Sequence, residues 1–340
     1  MTILHIMAGR GNGGAETYAA DMILALHEAG MKQIAVLHPA QRRAPDLLDA
    51  GVRVETAPLR LPLRFMQRRA VTKLCADVKP DLVHCWMRRA ASLVPAGLSI
   101  PVVGWFGGYY EPRHFARCTH FIGVTPDIVA HMGARGIPES RRFFVPTFPT
   151  VDSSLAIDRK IFATPADARI LLTLSRLHPK KGLEVLLAAL AQLPDCHLWL
   201  AGDGPLRQEL EALAAKLGIA GRVKFLGWRE DRGALLRAAD ISVLPSIYEP
   251  FGTVMSEAWA AGAPLVAADA AGPAAFVRDG ENGMLVPKGD APALAAALRK
   301  VLDLPALRER ICRGGRETYE AQFTRAAVTR RMMDVYREIG

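Results

Sequence analysis

Short runs of apolar, often β-branched residues alternate along the whole chain with segments whose apolar positions recur at helical spacing. In the first half, the runs at 3–8, 33–38, 52–57, 82–86, 101–105, 120–125 and 143–146 predict strands, and segments such as 16–28 and 68–78 predict helices. In the second half, strands are predicted at 169–174, 197–201, 223–226, 241–244, 265–268 and 284–286. Helices are predicted there at 182–193, 205–217, 231–239, 253–261 and 291–302, and the final stretch 324–339 has a strong helical period. The strand–helix–strand rhythm implies an α/β chain with parallel sheets covered by helices on both faces.

The rhythm runs twice, without any short-period repeat of sequence. Between the two passes, "PTFPTVDSSLAIDRKIFATPADA" (146–168) carries three prolines and small polar residues without a clear period, as an interdomain connection does. The expected organisation is two doubly wound, Rossmann-like domains, 1–150 and 151–323, facing each other across a cleft. Ligands of such sheets bind beyond the carboxyl ends of the strands, so the chemistry is to be sought in those loops.

Composition narrows the picture. Half of the 340 residues are apolar and 23% are charged, a globular balance. The most apolar stretch, 258–277, is broken by Pro264, Asp269 and Pro273, so no membrane span is expected. "MTILHIMAGRG" reads as a first strand and not as a signal peptide, and the expected location is the cytoplasm. The five cysteines, Cys75, Cys85, Cys118, Cys196 and Cys312, are scattered and form no C-x-x-C pair, so neither a disulfide framework nor a zinc site is expected. The net charge of +9 is uneven: residues 1–160 hold 20 Lys/Arg against 13 Asp/Glu, and the rest 23 against 21. The basic first half fits an acidic acceptor or an anionic membrane face. No recognition motif accompanies the charge, and a nucleic-acid partner is not expected.

Three loops carry candidate chemistry. The first strand ends in "AGRGNGGAET" (8–17), where Gly9, Gly11, Gly13 and Gly14 precede a helix bearing Glu16. Four glycines in six positions favour a ligand over a plain turn, and free amides at a helix start favour anions. The spacing does not fit the dinucleotide fingerprint, and no acidic residue ends the second strand, which argues against a dehydrogenase. In "LLTLSRLHPKKGLEVLLAAL" (171–190), Arg176 and Lys181 project from a strand-to-helix loop, and the pair suits a diphosphate. In "LWLAGDGP" (198–205) a strand ends in a tight turn, with Asp203 either a cap or a ligand contact. In "SIYEPFGTVMSEAWAAGAPLVA" (246–267), Glu249 lies on the loop before a helix and Glu257 one turn beyond Thr253. Both can face one side of the cleft at two depths, and carboxylates accept hydrogen bonds from sugar hydroxyls.

These segments, with "VKFLGW" and "VRDGENGMLVPKGD", resemble the nucleotide-sugar half of the retaining glycosyltransferases of family 4, which have the GT-B fold. "GGAE" and "KPDLVHCW" (79–86) resemble the family's acceptor half, so the likeness covers nearly the whole chain. The resemblance implies that Glu257 binds the donor ribose and that Glu249 lies by the donor sugar. It implies that Arg176 and Lys181 hold the diphosphate, and that Phe251, Gly252, Thr253 and Val254 form the phosphate loop, with Gly202 beside the nucleotide. It implies that no divalent metal and no cofactor are needed, and that the helix within 324–340 crosses back onto the N-terminal domain. One departure stands out. The family's histidine after the fifth strand has no counterpart in "PVVGWFGGYYEPRH"; Tyr109, Tyr110 and Glu111 are the candidates there.

The resemblance thus implies transfer of a hexose from a UDP- or GDP-linked sugar, with the leaving phosphate accepting the acceptor's proton on the attacked face. The acceptor is expected on the basic half, as a glycan or lipid-linked glycan such as the phosphate-rich core of lipopolysaccharide. Within "RLPLRFMQRRAVTKL" (60–74), Arg60, Arg64 and Arg68 are spaced at four, followed by Arg69 and Lys73, with apolar residues interleaved. This segment is either a basic amphipathic face docking on an anionic membrane or acceptor, or a solvated helix face. A GT-B epimerase of nucleotide sugars is the alternative activity, and it leaves the basic half without a role.

Overall fold

The computed structural model describes residues 1–9, 13–152, 154–165 and 167–340. They divide into two units, one of Met1–Thr147 with Arg325–Gly340 and one of Phe148–Thr324.

The first unit is built on a seven-stranded parallel sheet. Its strands are β1 (Thr2–Met7), β2 (Lys32–Leu37), β3 (Arg53–Glu55), β4 (Leu82–Trp86), β5 (Val102–Phe106), β6 (His120–Gly123) and β7 (Arg142–Phe144), in the order β3-β2-β1-β4-β5-β6-β7. Every residue of β4 and β5 is buried, as expected for strands covered on both faces. The order reverses between β1 and β4, so the loops after these two strands flank the point where such a sheet opens to ligands. The helix Arg325–Ile339 belongs to this unit: Arg331 donates to the Phe144 carbonyl at 2.7 Å, and Arg325 pairs with Glu28.

The second unit has six parallel strands: β8 (Arg169–Leu174), β9 (Cys196–Ala201), β10 (Val223–Gly227), β11 (Ile241–Leu244), β12 (Leu265–Ala268) and β13 (Met284–Val286). Their order is β10-β9-β8-β11-β12-β13, which reverses between β8 and β11. Leucine-rich helices, Leu183–Ala191 and Ala291–Asp303 among them, bury Leu186, Leu190, Leu294 and Leu298 against the sheet.

Three elements depart from the sequence reading. The predicted strand 52–57 shrinks to Arg53–Glu55, because Ala57–Arg60 turns into a short helix with Pro58 in its first turn. The helix predicted at 68–78 begins earlier, within the basic stretch 60–74. Leu61 and Leu63 are extended around Pro62, and the helix runs over Arg64–Val78, separating Arg60 from Arg64 and Arg68; a residue before proline is driven from helical geometry. An unpredicted helix spans Pro305–Gln322 and includes Gly314 and Gly315. A Cβ on Gly315 would come within 2.4 Å of the Trp259 ring and one on Gly314 within 2.3 Å of the Glu281 carbonyl. Close approach explains both glycines.

Candidate active site

The loops after β8 and β11 meet at the switch point of the second sheet. The Lys180 carbonyl accepts from the amides of Ile247 and Tyr248 at 3.0 and 3.1 Å, and the Lys180 ammonium lies 4.4 Å from the centre of the Tyr248 ring. This lacing brings Lys181 and Glu249 together. Lys181 Nζ donates to Glu249 Oε2 at 2.5 Å, and Ser246 Oγ donates to the same oxygen at 3.2 Å. Both side chains are mostly buried, 18% exposed for Lys181 and 13% for Glu249, so the pair is shielded from solvent more than a surface bridge. Arg176, on the same loop as Lys181, is exposed and makes no hydrogen bond or ion pair among the described residues.

Beyond Glu249 the chain enters the helix Thr253–Ala261 through Gly252, whose φ of 87° is left-handed and admits no ordinary side chain. Gly252 offers no capping side chain, and the amides of Thr253 and Val254 find no acceptor among the described residues. The positive end of the helix is therefore open to an anion. Phe251 serves this turn through its backbone alone, since its ring packs 5.8 Å from Phe276 and 6.1 Å from Phe323.

Glu257 lies on the second turn of this helix and is 1% exposed. Arg232, at the start of the helix Arg232–Ala238, donates to Glu257 Oε1, while Glu257 Oε2 is buried without a partner. Burial raises the pKa of this carboxyl above its ordinary value, and Arg232 opposes the rise. An orphaned buried carboxylate oxygen costs stability unless something outside the protein satisfies it. At the end of β9, Gly202 bridges to Gly227 and lies against the Ser175 carbonyl. Asp203 resolves as a loop anchor: its Oδ2 accepts from the Trp228 amide at 2.9 Å and its carbonyl from the Leu177 amide at 2.9 Å.

Comparison with known proteins identifies the family. Residues 156–318 match the family model "Glycosyl transferases group 1", and residues 12–148 match "Glycosyltransferase Family 4". Over 97% of both chains the protein is 35% identical to the lipopolysaccharide core biosynthesis glycosyltransferase LpsE of Rhizobium meliloti. It is 33% identical to LpsD of the same organism over 99% of this chain and 98% of that one.

The chain belongs to glycosyltransferase family 4.

In fold it also matches Anabaena Alr3699/HepE, solved in complex with UDP and glucose, at a TM-score of 0.84 with 22% identity over 99% of each chain. The fold is GT-B. None of these relatives is an epimerase, and that alternative is dropped.

The first unit of this glycosyltransferase places the remaining predicted residues less uniformly. The helix Gly14–Glu28 starts after Gly13 with no side-chain cap, and the Glu16 side chain folds back so that a Cβ on Gly9 would meet its Oε1 at 2.4 Å. Gly11 lies outside the described residues. After β5, Tyr109 donates to Asp127 and Glu111 pairs with Arg135 at 2.8 Å, so both side chains already have partners. Arg64 and Arg68 donate to Ser92 Oγ at 2.7 Å and to the Ser92 carbonyl at 3.0 Å. Arg60, Arg69 and Lys73 are exposed and take no part in that cluster. Exposed Leu63 and Phe65 adjoin the start of the same helix.

Among the described residues, no three His, Cys, Asp or Glu side chains gather as a metal would need, and no helix is long and apolar enough to cross a membrane. Sequence reasoning missed Arg232 as the partner of Glu257. A lone arginine at the start of the helix after β10 was the only signal.

Proposed function

We propose that this glycosyltransferase moves a hexose from a UDP-linked sugar to a glycan or lipid-linked glycan of the cell envelope, with retention of anomeric configuration and without metal or organic cofactor. The observation that carries the reading is Glu257: a buried carboxylate with one oxygen held by Arg232 and the other unsatisfied. A ribose hydroxyl satisfies that oxygen. The names of LpsE and LpsD support the envelope acceptor, and the UDP and glucose bound by HepE support the donor.

In this reading the diphosphate sits over the free amides of Thr253 and Val254, with Arg176 and Lys181 beside it. Charge grows on the leaving phosphate as the glycosidic bond breaks, and preorganised donors and cations stabilise it without reorganising. The acceptor hydroxyl attacks the anomeric carbon from the face the phosphate leaves, and its proton passes to a leaving phosphate oxygen. Glu249, fixed by Lys181 and Ser246, orients the hexose through its hydroxyls and is not a nucleophile. The acceptor binds the basic first unit, and the enzyme works in the cytoplasm at the inner membrane face.

NMR of the product from UDP-α-glucose and a saccharide acceptor tests the stereochemistry. An α-linkage is expected, and a β-linkage would overturn retention. Activity that persists in excess EDTA is expected, and activity abolished by EDTA and restored by magnesium or manganese would overturn metal independence.

A further inference from the structure

A second concave site lies wholly within the first unit. It is a cavity of about 550 Å³ lined by Arg64, Arg68, Arg88, Arg89, Arg113 and Arg117, together with Ser92 and His114. No carboxylate lines it. The arginines come from three elements: the helix Arg64–Val78, the short helix Met87–Ala91 directly after β4, and the 3-10 turn Pro112–Phe115 after β5, with Arg117 just beyond that turn. The cavity therefore stands at the carboxyl ends of β4 and β5, where doubly wound sheets bind ligands. Its volume is that of a small-molecule site.

What sets this cluster apart is that six arginines line one cavity with no acid among them. Many of the chain's other arginines pair with acids, as Arg43 does with Asp21 and Asp46, Arg159 with Asp240, and Arg299 with Asp195. Arg64, Arg68, Arg88, Arg113 and Arg117 form no ion pair among the described residues. The bonds that Arg64, Arg68 and Arg117 make go to the Ser92 hydroxyl, the Ser92 carbonyl and the Val94 carbonyl. Such neutral acceptors fix the guanidinium planes and cancel no charge. The Nε of Arg68 is buried and without a partner. Met87, which leads from β4 into the cluster, has a left-handed φ of 66°, a conformation that a long side chain adopts only when the surroundings impose it.

We propose that this cavity binds a phosphoryl group carried by the acceptor saccharide, so that the enzyme selects a phosphorylated glycan. Fixed arginine forks match phosphate oxygens in pairs, and a concave site fits a phosphorylated sugar ring better than the plane of a bilayer. The proposal rests on the glycosyl-transfer reading above.

The test is calorimetric titration in saturating UDP, which fills the donor site, with four probes: a hexose 6-phosphate, the unphosphorylated hexose, inorganic phosphate, and phosphatidylglycerol vesicles. The variant is Arg88→Gln/Arg113→Gln, and Arg117→Gln is a second, single variant should the first fail to fold. The native protein binds the hexose phosphate more tightly than either the hexose or inorganic phosphate. Each variant weakens that binding at least tenfold while its affinity for UDP, measured separately, is unchanged. Hexose phosphate affinity equal in native protein and variants overturns the site. Vesicle binding that needs these arginines, with no hexose phosphate binding, overturns the saccharide source in favour of a lipid surface. Loss of UDP binding in the native protein speaks against the donor reading and leaves the cavity result to stand on its own.

Discussion

Lys181 and Glu249 are 68 positions apart in sequence, yet the Lys181 ammonium donates to the Glu249 carboxylate at 2.5 Å across the switch point of the second sheet. The proposed phosphate cation and the proposed hexose contact are thus one unit before any substrate arrives. Removing either leaves the other charge partly buried and uncompensated.

It follows that Lys181→Ala lowers kcat by roughly a hundred- to a thousandfold, the range for deleting one electrostatic stabiliser of a leaving group. The double variant Lys181→Ala/Glu249→Gln loses less than the two single losses combined, because coupled residues are not additive. Steady-state kinetics of the three variants check this, and strict additivity of the losses would separate the two roles.

Glu257 sets function against stability. Its folded pKa is raised above the ordinary 4.5 by burial. The sign is that of a stabilising contribution present below 4.5 and lost as pH rises through the folded value. At pH 8, Glu257→Gln therefore unfolds at a temperature no lower than the native protein, while UDP affinity falls. Calorimetric scans at pH 8 with and without UDP read both effects.

The core of the first unit carries an acid-sensitive group. His5 is buried between the Trp86 indole, which donates to its Nδ1 at 3.2 Å, and Gln33, which accepts from its Nε2 at 2.5 Å. Desolvation lowers its pKa from 6.5 to about 4, against the pull of Gln33. Its stabilising contribution is present above pH 6.5 and lost as pH falls towards 4, because the unfolded state binds the proton first. The loss is on the order of 3 kcal/mol across that window, and protonating Nδ1 also breaks the Trp86 bond. Urea unfolding at pH 7 and pH 4.5 is expected to show it, with a smaller slope in His5→Asn.

Gly315 gives a reversal of sign. Alanine in place of glycine within a helix ordinarily stabilises by up to about 1 kcal/mol. Here the new Cβ meets the Trp259 ring at 2.4 Å, and Trp259 anchors the helix of Glu257 through its bond to the Asn282 carbonyl at 2.7 Å. Gly315→Ala should destabilise by about 1–3 kcal/mol, as urea titration would measure.

Strands such as Leu82–Trp86, Arg169–Leu174 and Ile241–Leu244 were legible to the residue because buried parallel strands are nearly uninterrupted apolar runs. The loops holding Arg176, Lys181 and Glu249, and the helix holding Glu257, were legible by position, since each follows a strand. Their pairing was not. Which loops meet depends on strand order, β8 beside β11, and alternation does not encode that order. Spacing found Arg64 and Arg68, but it missed Arg88, Arg89, Arg113 and Arg117, which converge from two further loops. The helix Pro305–Gln322 was not predicted, and its Gly314 and Gly315 answer to tertiary contact.

The most direct test of the nucleotide-sugar site is calorimetric titration of UDP in excess EDTA, into the native protein and into Glu257→Ala. The account predicts one UDP bound per chain without metal, and an affinity at least tenfold weaker in the variant. Equal affinity in the two proteins, or no binding until a divalent metal is supplied, would contradict it.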